Sequence, residues 1–463
     1  MELVLRNARV VDPLNNIDGL LDIGIEGGKI AAAAAQLPDG KANVDCRGKT
    51  IIPGVIDTHV HVTGLLGGHM GYYMLAKSGV TTLIDFAGPV EDIVENAARV
   101  GCGLNVGCLN SIRPVDVGSD PDRAKIDEFM EKSLETGAIG LKILGGHYPL
   151  TTEASRETIL SANVRKVIVA IHAGSTEQGS DIEGMREAVG LAQDARLLIA
   201  HINSYCRGRH YDPLEEVQQA FQMLRDNTNI LSDSYLSIMN GTSGACKDGV
   251  PMSAVTCNCL KMLGYEATEE ALGKSIQDGV TRVSVEMEKE NIPLTREDGY
   301  DFWRKKNTDA SLSFPVNSRA VALACTSERR VTGGEFLIPL SATDGGGIPR
   351  NDMIGRLLAL HRLEYLSIND IVCKSSLNAS RVFGLENKGH LGVGADADIT
   401  VLNEGLTDAV LSYANGRQIM KDRVVTGKGA HLITTEAGRA TAARNNLPCI
   451  IPDLSGSAFY KGF

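Results

Sequence analysis

The chain has 463 residues, 43% hydrophobic and 22% charged, with a formal net charge of -11. That length exceeds one compact core and points to a large domain with a smaller companion. The acidic balance argues against nucleic acid or an anionic membrane as the main partner, because both are polyanions; a few arginines in a pocket still suit an anionic small molecule.

The opening MELVLRNARVVDPLNN alternates like a strand followed by a turn, without the basic and apolar stretches of a signal peptide. No window of 18 apolar residues marks a membrane span. The ten cysteines stand singly apart from Cys257 and Cys259 and form no CxxC pair. Free or buried thiols in a reducing cytoplasm are therefore expected. The next segment, DIGIEGGKIAAAA, carries a Gly27-Gly28 hairpin signal. Residues 1–53 thus read as part of a small β-sandwich.

From Ile51 the texture changes. VTTLIDFA, GLNVGCLN, AIGLKIL, VIVAIHA, LLIAHIN and NILSDSYL each read as a buried strand. Amphipathic stretches such as DRAKIDEFMEKSLETG, DIEGMREAVGLAQDA and PLEEVQQAFQMLRDN lie between them. Repeated strand-then-helix units with near-continuous apolar strands indicate a parallel sheet covered on both faces. Eight such units close a (β/α)8 TIM-like barrel, assigned to residues 54–390. Between 241 and 336 the pattern is loose and partly helical, as in an insertion over the barrel mouth. From 391 to 463 short strands return, with Asn415-Gly416 as a second hairpin signal. Both chain ends then form one β-sandwich beside the barrel, followed by a tail.

The strongest chemical signal is Asp57-Thr58-His59-Val60-His61 at the end of an apolar run. Residues i and i+2 of a strand point the same way, so two imidazoles can share a metal. Lys142 in GLKIL, His172 in VAIHAGS, His201 in LIAHINS and Asp344 in LSATDGGG stand at or near later strand ends. A barrel gathers those ends on one face. A lysine inside an apolar strand is costly unless neutralised, and a carbamate formed with CO2 turns it into an anionic oxygen ligand. The glycines of TDGGGIP are not followed by a GK[ST] signature and are assigned to close approach of a ligand.

The order HxH, Lys, His, His, Asp resembles the binuclear amidohydrolase superfamily, as do the entry GKTIIPGVIDTHVH and the exit FGLENKGHLGVGADADITVLN. The resemblance covers nearly the whole chain. It implies that His59 and His61 bind one divalent metal and His172 and His201 a second, with carboxylated Lys142 between them. Asp344 would contact the first ion and shuttle protons. Imidazole and carboxylate donors suit zinc. A water bridging two such ions is hydroxide near neutral pH and attacks a carbonyl carbon, while Asp344 carries its proton to the leaving nitrogen.

Within the superfamily, AHINSYCRGRHYDPLEEVQQAFQMLRDNTNILSDSYLS, with Asp233-Ser234-Tyr235, resembles the D-aminoacylase branch. DGGGIPRN with Arg350 does too. That branch uses a cysteine ligand and lacks a lysine in GLKIL form, which resembles hydantoinases and dihydroorotases instead. Hydrolysis of an N-acyl-D-amino acid is the leading expectation, and a cyclic amidase of hydantoinase or dihydroorotase type is the alternative. A non-catalytic scaffold relative is a remote third reading, since such relatives lose metal ligands. His147, Tyr148, Arg207, Tyr235 and Arg350 are the candidate substrate contacts, the arginines as partners for a carboxylate. The expected setting is a cytoplasmic homo-oligomer acting on a small molecule.

Overall fold

In the computed structural model, which describes residues 1–64, 68–330 and 334–463, the apolar runs become the strands of one curled parallel sheet. They are β1 (Val55–His61), β2 (Val80–Asp85), β3 (Asn105–Ile112), β4 (Gly140–Leu144), β5 (Ile168–His172), β6 (Leu197–Ile199), β7 (Ile230–Ser234) and β8 (Leu340–Ser341). Every residue of β1, β3 and β4 is buried, as expected where helices cover one face and the sheet packs on itself at the other. The connecting helices begin at side-chain caps the sequence supplies. Asp122, Asp181 and Asp212 each accept backbone N–H groups at the start of Arg123–Thr136, Ile182–Ala192 and Pro213–Asp226.

The strands pair in order from β1 to β8. Beyond β8, Gly345 and Gly346 pair with Val60 and His61 of β1. The short segment from Leu340 to Gly346 therefore touches both edges and shuts the barrel. Gly346 has φ +80°, and a Cβ there would lie 2.3 Å from the His61 carbonyl oxygen. This glycine of TDGGG lets β8's continuation approach β1. Ligand approach, the role expected from sequence, is not what the Gly346 geometry requires. Asp57 secures the same seam, its carboxylate accepting from the Thr343 hydroxyl (2.6 Å) and N–H (3.1 Å).

A second, nine-stranded sheet joins the two ends of the chain. Thr50–Pro53 runs antiparallel to Ile399–Leu402, with Pro53 opposite Ile399. Leu5, Val10, Ile23, Ile51, Ile399 and Val401 share its core. Both hairpin signals form turns: Gly27, Gly28, Asn415 and Gly416 all have positive φ, as a type I′ turn demands. After Val425 the chain leaves this sheet, and His431–Ile433 pairs with β3, His431 opposite Asn105.

The connection from β7 to β8 carries a body of its own. Asn240–Ser243, Ser311–Phe314, Arg282–Met287 and Glu290–Leu294 form a four-stranded sheet. Helices Ala254–Met262, Glu269–Gln277 and Arg296–Lys305 accompany it, with Leu260, Leu272, Trp303 and Phe314 in a shared core. Its strands are short and partly exposed, so they give little period-two signal. Among the described residues no helix is long and apolar enough to cross a membrane.

Candidate metal centre

The C-terminal ends of the strands converge on one pocket. Its lining includes His59, His61, Lys142, His147, His172, His201, Asp344 and Arg350, together with Asn240 and Gly241 of the insertion. Ligand-capable atoms of His59, His201 and Asp344 all lie within 4.8 Å of one another. Asp344 Oδ1 stands 2.9 Å from His61 Nε2 and 3.6 Å from His59 Nε2. The His172 and His201 rings meet edge to face with centroids 4.6 Å apart, and His201 stacks on His59 at 5.1 Å. All six strand-end residues singled out in the sequence are thus brought to one place.

Burial sets the electrostatics. It draws the imidazoles of His59, His172 and His201 below their ordinary range, so they stay neutral with lone pairs free for a cation. Burial also pulls the Lys142 ammonium down to about 7, against the attraction of Asp233 and Asp344. Among the described residues Lys142 Nζ has no hydrogen-bond partner, and it rests 4.8 Å from the centre of the Phe86 ring. Asp344 behaves oppositely. Burial would raise its pKa, but Arg350 and the hydrogen bond from His61 hold it well below the ordinary carboxylate range. Asp57, behind the site, is pushed up to about 7 by burial despite its bonds from Thr343.

This donor set fits divalent metal. His61 Nδ1, His201 Nδ1 and Lys142 Nζ are buried without hydrogen-bond partners among the described residues, which is costly in a closed protein interior and ordinary in a site organised around cations. His201 and Asp344 also hold left-handed backbones, φ +36° and +49°. Strain of this kind in residues other than glycine gathers at functional sites.

The candidate substrate contacts divide. His147 faces the pocket, its ring 5.0 Å from that of His172, and burial draws its pKa down to about 4. Tyr148 sits outside the lining and is 39% exposed. Tyr235 is buried, its hydroxyl shared between Ser204 Oγ and Asn317 Nδ2, both at 3.0 Å. Arg207 lies behind the pocket wall, donating to Asn240 Oδ1 (2.7 Å) and Asn317 Oδ1 (2.8 Å). Arg350 lines the pocket but spends three of its N–H groups on protein: the carboxylate and carbonyl of Asp344 and the carbonyl of Met239. Cys259 is buried and accepts from Asn240 Nδ2 at 3.6 Å, so it braces the wall from behind.

Two participants escaped the sequence reading. Asn240 had no local signal, because it opens an insertion strand. Asp233 sat in a noted motif without a role, yet its carboxylate contacts His59 Nδ1 at 3.0 Å and the His201 N–H at 2.5 Å. Its place at the end of a buried strand, like the other polar residues of the site, was the available clue.

No family model matches the chain. It is similar to a dihydroorotase from Syntrophus aciditrophicus, 22% identical over 95% of this chain and 99% of that protein. It is also similar to an allantoinase from Deinococcus radiodurans, 25% identical over 88% of this chain and 87% of that one. Among solved structures, an N-acyl-D-glutamate deacylase from Bordetella bronchiseptica, complexed with zinc and a phosphonate inhibitor, superposes with a TM-score of 0.68. That likeness spans 93% of this chain and 98% of the other at 14% identity.

The chain's relatives and its structural neighbours all belong to the amidohydrolase superfamily. Its relatives are hydrolases of carbon–nitrogen bonds outside peptides. In this chain the histidines and aspartate stand at or near the barrel's strand ends, with Lys142 inside its strand beside them, on the face where such barrels build their active sites.

Proposed function

We propose that this amidohydrolase cleaves the amide C–N bond of a small carboxylate-bearing molecule, with an N-acyl-D-amino acid as the leading substrate class. The observation that carries the hydrolytic reading is Lys142: an amine with no hydrogen-bond partner among the described residues, in a pocket lined by five histidines and an aspartate. His59 and His61 would hold one divalent ion and His172 and His201 another. Lys142 would lie between them as a carbamate, formed when its neutral amine adds to CO2 and sheds a proton. Zinc suits these donors. Bound there, the ions would acidify a water and polarise the substrate carbonyl.

The chain's own residues do the rest. Asp344, kept ionised by Arg350, accepts the proton of the attacking water and returns it to the leaving nitrogen. His147, neutral at physiological pH, lines the pocket beside His172 as a neutral hydrogen-bonding partner for substrate. The guanidinium of Arg207 stands behind Asn240 and biases the pocket toward an anion. The fold likeness to an N-acyl-D-glutamate deacylase supports the acyl reading.

The sequence similarity to a dihydroorotase and an allantoinase supports a second reading, hydrolysis of a cyclic amide. A hydrolysis screen of the zinc-loaded protein separates the two. N-acyl-D- and N-acyl-L-amino acids would be run beside hydantoins, dihydropyrimidines and lactams. Turnover of rings alone would overturn the acyl reading. No turnover of any class, with two equivalents of metal bound, would overturn the hydrolytic one.

A further inference from the structure

We infer that Asp233 is the positioning residue of the metal centre, one carboxylate that fixes two metal-holding histidines on different strands at once. The inference rests on the proposed metal site and goes beyond it, since Asp233 would touch neither ion nor substrate.

The geometry is specific. Oδ2 lies 3.0 Å from His59 Nδ1, and Oδ1 accepts the backbone N–H of His201 at 2.5 Å. His59 belongs to β1, His201 follows β6, and Asp233 belongs to β7. All three residues are buried, so water does not compete for these bonds. An ionised carboxylate only accepts hydrogen bonds. The ring proton of His59 must therefore sit on Nδ1, which leaves the Nε2 lone pair facing Asp344, 3.6 Å away. The second contact acts on the backbone. His201 has φ +36° and ψ +61°, a left-handed conformation that a β-carbon resists. The bond from its N–H to Asp233 holds that turn and with it the direction of the imidazole, which stacks on His59.

On the proposed site, His59 and His201 serve different ions, so Asp233 couples the two halves. An amide in its place could not do the same. Asparagine has one accepting oxygen and one donating nitrogen. Whichever histidine it satisfied, the other N–H would face an NH2 group. Asp233→Asn therefore keeps the shape and loses one of two required acceptors. Outer partners of metal-bound histidines commonly change metal affinity by about 10–100-fold.

The test is metal binding and histidine spectroscopy on the full chain. Zinc affinity would be measured by chelator competition, and the cobalt-substituted protein by its visible absorption. Asp233→Asn should bind both equivalents of metal about 10–100-fold more weakly and show an altered cobalt spectrum, with folding checked by circular dichroism. A variant with wild-type affinity and spectrum would overturn the inference. If wild-type protein itself binds no metal, the proposed site fails instead. Should Asp233→Asn not fold, nitrogen-15 histidine spectra of the metal-free wild type still decide. They should show His59 protonated on Nδ1, and protonation on Nε2 would overturn the assignment.

Discussion

Arg350 grips Asp344 twice: Nη2 stands 2.5 Å from carboxylate Oδ2, and Nε donates to the Asp344 carbonyl at 2.6 Å. The other carboxylate oxygen faces His61 at 2.9 Å. One side of Asp344 is thereby anchored in protein, and the other is turned toward the histidines. The anchoring guanidinium also lies 4.9 Å from the centre of the Tyr235 ring, so Tyr235 backs the arginine that holds the aspartate.

This arrangement predicts how Asp344 and Arg350 differ on substitution. Asp344→Asn keeps the shape and loses the base. Its kcat should fall by at least about 10²-fold with little change in KM, because a shuttle acts mainly in the transition state. Arg350→Ala should also act on kcat, through loss of a charged hydrogen bond of about 1.5–3 kcal/mol. A rise in KM alone for Arg350→Ala would show that the guanidinium binds substrate and does not hold Asp344. Near-wild-type kcat in Asp344→Asn would remove that residue from the mechanism.

His59→Ala and His61→Ala should each lose metal and activity together while the protein stays folded, because the barrel core lies mainly in aliphatic side chains. Elemental analysis beside circular dichroism checks this. Full metal content in both variants would refute the ligand assignment.

Lys142→Ala should abolish activity, and short carboxylic acids should restore part of it. A small carboxylate can occupy the space left by the side chain and supply the oxygen donors that a carbamate would provide. The measurement is activity against acetate or propionate concentration. Recovery with simple amines in place of carboxylic acids would instead point to an ordinary ammonium.

A different lysine governs a pH dependence of stability. Lys374 is fully buried, donates to the Ile338 carbonyl at 2.5 Å, and is pulled down to about 7 by burial. Unfolded, it titrates near 10.5. Between those values the unfolded chain holds the extra proton, so this group's cost to folding is full below about pH 7 and fades as pH rises toward 10.5. Lys374→Met should accordingly stabilise more, relative to wild type, at pH 6.5 than at pH 10, read from denaturant midpoints. A difference independent of pH would contradict the burial argument.

Much of the centre was legible because its residues obey local rules. His59 and His61 follow the two-residue period of a strand, Lys142 interrupts an apolar run, and His172 and His201 each close or follow one. The paired glycine and Asn-Gly turns and the union of both chain ends in one sheet were likewise carried by short patterns. The contacts that make these residues a site were not legible. Asp233 reaches His59 across 174 positions, and Asp344 reaches His61 across 283. The inward turn of Arg350, the closure of the barrel through Gly346 and the sheet within the insertion depend in the same way on segments far apart in the chain. Periodicity fixes which face of a strand a side chain takes. Which partner it meets there is decided only when the sheet curls and brings β7 and β8 against β1, because hydrogen bonds demand their atoms within about 3 Å.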